Sequence, residues 1–381
     1  MSSPVVAIVT RAKAPYYKPL YEAFAKAQPR GWKTVLCWPD PQPVDFPEED
    51  YTPIAENLEI CRIPSRTVQI RANSTTPVGP STQPTILPTR GLWRALACRD
   101  IHLILIHEFS PYTLYALLFA KAKQISVVVS TEVGRRNRHF FRHRVQIWHR
   151  FWGLFVDGIV ACTPAAREPL SGKNVPTTTT YHAVDSRLYV PVEKHHRNDT
   201  PVVFGYLGQV IHRKGLDLLC QATANLPAEH RAQVRVRIIG GGNMEWMRAL
   251  IADFKLEQIV ELTGFLSGGA LRQALASSDV FVLPSREDTY AAVVHEAACL
   301  GLPLLISKHA GAAGGIVEQG GNGFVFDPEN LEEFSGRMQE LMNAQLRANM
   351  GRQARVKGEE FSAHKRGIAL WEWMRDVFAL S

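Results

Sequence analysis

The densest group of chemically capable side chains in this 381-residue chain lies in residues 281–303, FVLPSREDTYAAVVHEAACLGLP. An apolar run ends at Pro284, Glu287 and Asp288 follow, and Glu296 comes eight residues after Asp288 on a helical stretch. Carboxylates accept hydrogen bonds from paired hydroxyls, so a sugar or a ribose is their natural partner. The stretch is apolar on both sides of Glu296, and a carboxylate on a buried helix needs a partner. Thr289 is expected to cap the helix. The amides of Ala291, Ala292 and Val293 would then be free to hold a phosphate. The plainer alternative is that these acids only face the helix N-terminus.

Two glycine-bearing turns precede this segment. Residues 205–215, GYLGQVIHRKG, follow a strand pattern. Gly208 allows close backbone approach to a ligand, Arg213 and Lys214 bring positive charge, and Gly215 opens the next helix, so a phosphate site follows physically. Residues 238–242, IIGGG, run a strand into three glycines, with Gly241 at their centre. The pattern is not GxGxxG with a following acid, which argues against a nicotinamide dinucleotide. Both turns also suit ordinary strand–helix connections. Residues 311–323, GAAGGIVEQGGNG, read as a loop near the ligand ending in a hairpin-like turn at 320–323.

The elements that must position these residues are legible as a pattern. Short, almost wholly apolar runs at 5–9, 35–38, 103–106, 127–129 and 158–161 alternate with amphipathic stretches. The alternation repeats at 202–207, 234–239, 260–262, 280–283 and 304–306. Runs that are apolar throughout suit parallel strands covered on both faces. Strand–helix alternation performed twice predicts two doubly wound α/β domains facing across a cleft, with ligands at the carboxyl ends of the strands. The boundary is expected within 186–200, giving domains of 1–190 and 191–360, with a C-terminal helix at 361–381 packing back on the first. A Pro/Thr/Ser-rich stretch at 65–90 reads as a mobile loop.

Charge divides the halves. Residues 1–190 hold 23 Lys and Arg against 14 Asp and Glu, a net of +9, whereas the remainder carries −2. The first half therefore points to an anionic partner. Residues 135–152, RRNRHFFRHRVQIWHRFW, interleave arginines with aromatics. Such a helix can lie in an anionic membrane interface. The alternative is a solvated arginine face over an aromatic core face formed by Phe140, Phe141, Trp148 and Trp152. No nucleic-acid motif accompanies the patch, so nucleic acid is not an expected partner. The six cysteines lack zinc-ligand spacing and read as reduced thiols, and no metal site is expected. No run of about 18 uncharged apolar residues exists. The order of charge and apolar residues at the start is opposite to that of a signal peptide, so the expected location is cytoplasmic.

Taken in order, GQVIHRKGLDLL, RIIGGG, ELTGFLSGGALRQALASSDVFVLPSREDTYAAVVHEAACLGLPLL and GAAGGIVEQGGNGFVFDP resemble the retaining nucleotide-sugar glycosyltransferases of family 4 (group 1). The resemblance is strong over about 201–335. In the first half it rests on YHAVDSRLYVP and LILIHEFSPYTLYALLFAKA. It implies the GT-B fold, two facing Rossmann-like domains with an interdomain cleft. It also implies transfer of a sugar from a nucleoside diphosphate to an acceptor hydroxyl, without a cofactor or metal, in cell-surface polysaccharide or glycolipid biosynthesis.

By the family's spacing of two acids eight apart, Glu296 would bind the nucleotide ribose and Asp288 the donor sugar. Lys214 would neutralise the diphosphate, with Gly208, Gln209, Arg213, Gly241, Glu287, Ala292 and Val293 around it. Phe265 and Leu266 resemble the base-contacting loop. The family carries Arg where this chain has Gln209 and Glu where it has Asp288. On the acceptor side Glu132 follows the strand where many relatives carry His, and is the candidate to orient an acceptor hydroxyl. His107 and Glu108 follow another strand, with a structural role the plainer expectation for His107. The expected partners are a nucleotide-sugar donor and a glycan or lipid-linked acceptor, and the basic first half with the segment Arg135–Trp152 adds a peripheral position at the inner membrane face. The alternatives are an epimerase or phosphorylase of the same fold and a catalytically silent scaffold binding a membrane or partner.

Overall fold

The runs of Val, Ile and Leu form strands because β-branched and aliphatic side chains pack well on a pleated surface covered on both faces. The computed structural model describes residues 3–11, 17–40, 55–68, 85–138, 141–192 and 200–380. It divides into two units, Met1–Tyr181 with Ala363–Ser381, and His182–Ser362.

The first unit contains β1 (Pro4–Val9), α1 (Lys18–Lys26), β2 (Lys33–Asp40), β3 (Leu58–Pro64), β4 (Arg66–Val68), β5 (Thr85–Leu87), α2 (Arg90–Ala97), β6 (Asp100–His107), α3 (Pro111–Lys123), β7 (Ser126–Thr131), α4 (His143–Trp152), β8 (Gly158–Ala161) and β9 (Thr177–Thr179). Its main sheet runs β3-β2-β1-β6-β7-β8-β9, all parallel among the described residues. Inward side chains such as Val5, Ala7, Val9, Ile104 and Ile106 make the core with Leu92, Leu96, Tyr112 and Leu117 from the helices. The stretch expected to be a loop at 65–90 carries regular structure in its described residues. β4 and β5 pair antiparallel, and Thr89 caps α2 by accepting from the Gly91 amide. Residues 69–84 lie outside the described residues.

The second unit contains β10 (Val202–Leu207), α5 (Leu216–Ala224), α6 (Ala228–Ala232), β11 (Val234–Ile239), α7 (Met244–Asp253), β12 (Val260–Gly264), α8 (Gly268–Ala276), β13 (Val280–Leu283), α9 (Val293–Cys299), β14 (Leu304–Ser307), β15 (Gly323–Phe326), α10 (Leu331–Glu340) and α11 (Ala344–Glu360). The sheet order is β12-β11-β10-β13-β14-β15, again parallel. Both sheets thus have the doubly wound arrangement, in which strand order reverses beside the first strand. The expected hairpin-like turn at 320–323 is a tight turn closed by the Gly320 amide on the Gly323 carbonyl at 2.8 Å. It leads into a parallel strand, so it joins no hairpin.

The units divide at Tyr181/His182 rather than at the expected 190/191. Residues 182–192 are bonded into the second unit. Ser186 donates to Glu359 at 2.8 Å, Arg355 donates to the Tyr189 carbonyl at 2.8 Å, and Val184 pairs with Ser362. Residues 193–199 of the expected boundary lie outside the described residues.

The last helix, α12 (Ala363–Phe378), belongs to the first unit. Its Trp371 is buried edge-on against Phe24 of α1 and against Trp32. The crossing is tight at Gly367, where a Cβ would lie 2.3 Å from the Leu20 carbonyl oxygen and 2.9 Å from the Phe24 nitrogen. Gly367→Ala is therefore expected to push the helices apart and cost about 1–3 kcal/mol. A lower denaturation midpoint, followed by tryptophan fluorescence, checks it.

Candidate functional site

In an open parallel sheet, the loops that leave the strands on either side of the order reversal diverge and open a crevice for ligands. In the second unit these are the loops after β10 and β13, and they carry Gln209–Lys214 and Pro284–Asp288. Their contact depends on Gly215, whose φ of +68° lies in the left-handed region. A Cβ there would stand 2.0 Å from the Pro284 carbonyl oxygen. The loops are then stapled together. The Arg286 amide donates to the Arg213 carbonyl at 3.0 Å, and the Arg213 guanidinium donates to the Glu287 carbonyl at 2.7 Å. Arg286 makes a bidentate pair with Asp217 on α5, at 2.8 and 2.7 Å, and this pair draws the Asp217 carboxyl below its usual range even though burial opposes it. Within this frame the Lys214 ammonium bonds directly to the Asp288 carboxylate. Both side chains are largely buried. Sequence spacing alone did not reveal the Arg286–Asp217 staple.

The remaining donor-side candidates fall around this pair. Gly240 (φ +144°) passes so close to the loop after β10 that a Cβ would meet the Gly208 carbonyl oxygen at 1.9 Å. Gly241 faces the Phe265 side chain. Phe265 is 80% exposed and Leu266 half-buried, just beyond β12. Gln209 is exposed, and its carbonyl accepts from the buried Tyr206 hydroxyl at 2.8 Å.

The start of α9 corrects the sequence expectation. Thr289 does not cap it. The helix begins at Val293 after Ala292, with no side-chain cap. The intervening chain is held instead by the loop after β14. The Asp288 amide donates to the His309 carbonyl, and the Gly311 and Ala312 amides donate to the carbonyls of Asp288 and Tyr290. This forces Ala291 to a φ of +69°. Ala291 therefore lies outside the first helical turn, and its carbonyl accepts from Val294. No backbone carbonyl among the described residues accepts from the Ala292 or Val293 amides.

Glu296 lies one turn into α9, half-buried. Burial pushes its carboxyl up to about 7, partly offset by a hydrogen bond from Tyr189 and the charge of Arg272. Tyr189 lies in the segment YHAVDSRLYVP, so its neighbourhood was noticed in the sequence but its bond to Glu296 was not.

The first unit reverses its strand order between β1 and β6. His107 at the end of β6 is buried and bonds to the Tyr21 hydroxyl, with the Tyr17 ring tilted against it at 4.5 Å. Glu108 follows at a φ of +54°. Its carboxylate accepts from the Thr131 hydroxyl at 2.8 Å and from the Glu132 amide at 2.6 Å. His149 Nε2 on α4 lies 3.3 Å from it. Burial, then the neighbouring charge of Glu132, push Glu108 up to about 7. Burial lowers His149 to about 4, which keeps the imidazole neutral at physiological pH. Glu132 is half-buried, with its carbonyl held by Asn137 and Thr163 at 2.8 and 2.9 Å. The structure thus brings Glu108 and Glu132 together at one strand-end site. Residues 12–16, which follow β1, lie outside the described residues.

Residues 192–357 match the family model described as "Glycosyl transferases group 1". Those residues are a group 1 glycosyltransferase domain. The chain is 30% identical over 195 residues to the sulfoquinovosyl transferase SQD2 of Arabidopsis thaliana, covering 46% of this chain and 35% of that one. It spans between about a third and a half of the length of the curated relatives it matches. The sucrose-phosphate synthase of Thermosynechococcus elongatus superposes with a TM-score of 0.70 at 15% identity, covering 99% of this chain and 100% of that one. Anabaena HepE, solved in complex with UDP, superposes with a TM-score of 0.70 at 16% identity, covering 97% and 99%. These likenesses show the fold, which is GT-B with two Rossmann-like units.

Two outcomes follow for the group 1 domain. Ala291→Gly removes a left-handed alanine and should stabilise the fold by about 1 kcal/mol, read as a raised denaturant midpoint. Glu296→Gln has a signed pH dependence. The folded chain holds the Glu296 proton up to about 7, whereas the ordinary value is 4.5. Its contribution is therefore full below 4.5 and lost as pH rises through 7. The Gln variant escapes that loss, so its Tm should exceed wild type at pH 8 and converge with it near pH 4.

Proposed function

We propose that the protein is a retaining glycosyltransferase that moves a sugar from a nucleoside-diphosphate donor to an acceptor hydroxyl in polysaccharide or glycolipid biosynthesis. The observation that carries the reading is the Lys214–Asp288 pair at the strand-order reversal of the group 1 domain. A lysine in this position can give one donor to Asp288 and its others to a diphosphate. As the glycosidic bond breaks, negative charge grows on the departing diphosphate and positive charge on the sugar ring. Lys214 and Arg213 act on the first, as do the Ala292 and Val293 amides, and Asp288 receives the sugar hydroxyls. Glu296 accepts the ribose hydroxyls, a task suited to a half-buried carboxylate that a hydroxyl donor helps ionise. Exposed Phe265, with Gly241 beside it, offers a face for the base. In a retaining transfer the departing phosphate oxygen takes the proton of the incoming hydroxyl on the same face of the sugar.

The relatives' names are in keeping with this reading. They include a sulfoquinovosyl transferase and a GDP-mannose-dependent alpha-mannosyltransferase of Mycolicibacterium smegmatis, and HepE structures were solved with UDP and UDP-glucose. On the first unit, Glu108 and Glu132 would orient the acceptor hydroxyl. The excess of positive charge in residues 1–190 favours a lipid-linked or anionic glycan, met at an anionic membrane surface.

A thermal-shift screen of nucleoside diphosphates and sugar nucleotides tests the reading. One nucleotide class should stabilise the wild type and fail to stabilise Glu296→Ala. Asp288→Ala should keep that shift and lose turnover by about 10²–10³-fold. If every nucleotide leaves the wild type unmoved, the donor assignment is wrong. Binding without transfer from any sugar nucleotide would point to the silent scaffold.

A further inference from the structure

Helix α4 presents two apolar faces, and only one of them is used inside the fold. Trp152 packs on the core of the first unit, His149 is buried against Glu108 and edge-on to Phe109, and Val145 is half-buried. Their spacing of four and three residues defines one helical stripe. The other stripe holds Ile147, Trp148 and Phe151, and the short 3₁₀ turn Gly153–Phe155 extends it with Leu154 and Phe155. All five are between 37% and 55% exposed. The sequence alternative of an aromatic core face therefore fails for Trp148, holds for Trp152, and cannot be placed for Phe140, which lies outside the described residues.

The exposed stripe is a fixed surface. Trp152 is anchored in the core and makes ring contacts with Trp148, Phe151 and Phe155 at 5.8, 5.0 and 5.7 Å. Arg142, His143, Arg144 and Arg150 stand exposed on the same helix and its start. Gln146 donates to the carbonyls of Arg138 and Phe141 at 2.9 and 2.8 Å, which ties the preceding arginine-rich segment to α4. No Asp or Glu occurs from 133 to 156. An acid-free set of arginines around exposed aromatics complements a surface of anionic headgroups over acyl chains. No described helix is long and apolar enough to cross a membrane, so the contact is with a surface.

Deepening the acceptor reading above, on which it rests, we infer that the α4 stripe Ile147, Trp148, Phe151, Leu154 and Phe155 seats in an anionic lipid bilayer with the surrounding arginines at the headgroups. The opposite side of α4 carries His149, beside Glu108. Seating the helix thus holds the Glu108–Glu132 site about one helix diameter, about 10 Å, from the bilayer surface. A lipid-linked acceptor then needs to lift its reacting hydroxyl only that far.

Vesicle co-sedimentation of the full chain tests this, using phosphatidylcholine with and without phosphatidylglycerol. Wild type should bind the phosphatidylglycerol vesicles about tenfold or more tighter, and lose the preference in high salt. Ile147→Ser/Phe151→Ser/Phe155→Ser and, separately, Arg142→Glu/Arg144→Glu/Arg150→Glu should each weaken that binding about tenfold or more. Both should keep the wild-type Tm and nucleotide-induced shift, which shows that they fold. No vesicle binding, equal binding to both vesicle types, or unaltered binding by both variants overturns the inference. So does a wild-type oligomer that the serine variant returns to monomer, because a second copy would then cover the stripe. The vesicle readout needs no nucleotide or turnover. Failure of the donor reading would appear in the thermal-shift screen alone, and failure of the bilayer inference in the vesicles alone.

Discussion

The turn after β10 and the turn after β13 can touch only because Gly215 has no side chain. At that point the Pro284 carbonyl occupies the place where a Cβ would stand. The polar network around Lys214 follows from the contact. Arg286 reaches back to the Arg213 carbonyl and to Asp217, Arg213 reaches forward to the Glu287 carbonyl, and Lys214 is left facing Asp288. A cation and an anion from loops about 70 residues apart are brought together by one backbone approach. The backbone bonds on either side then fix their geometry more firmly than the ion pair could alone.

The two units reach similar topology with opposite electrostatics. In the second, the reversal point gathers Arg213, Lys214 and Arg286 around Asp288, a setting for an anion. In the first, Glu108 follows β6 at the reversal and Glu132 follows the neighbouring β7, and the carboxylate of Glu108 turns onto the chain's own hydroxyl and amide. The raised carboxyls, Glu108 and Glu296, share burial as their main cause. Each is carried at or soon after a strand-end loop, where the sheet supplies low dielectric and the loop supplies only a few donors.

Strands were legible in the sequence because a strand buried on both faces must be apolar throughout, and β10, β13 and β14 are. The doubly wound sheets were legible in the strand–helix alternation, and family spacing singled out Lys214, Asp288 and Glu296, the first two of which the structure pairs. The start of α9 was not. Local preference favours a cap at Thr289, but the loop after β14 captures Asp288 and Tyr290 first and leaves Ala291 in a conformation that no local rule assigns to alanine. Helix α2 was hidden by the Pro- and Thr-rich stretch before it. The buried face of α4 was ambiguous because both of its stripes are apolar. Only packing decides between the side of Val145, His149 and Trp152 and the side of Ile147 and Phe151. The domain boundary was misplaced because residues 182–192 look irregular in sequence, yet bond to α11.

The chain order of α12 has a consequence for synthesis. The second unit is continuous in sequence, whereas the first is completed by residues made only after the whole second unit. Until α12 arrives, Phe24 of α1 and Trp32 lack their contact with Trp371, and the slot beside Leu20 that Gly367 enters stands open. A nascent chain of this protein therefore carries an unfinished apolar surface on its first unit while its second unit already has every residue it needs. Chaperone demand during translation should fall on the first unit until α12 docks.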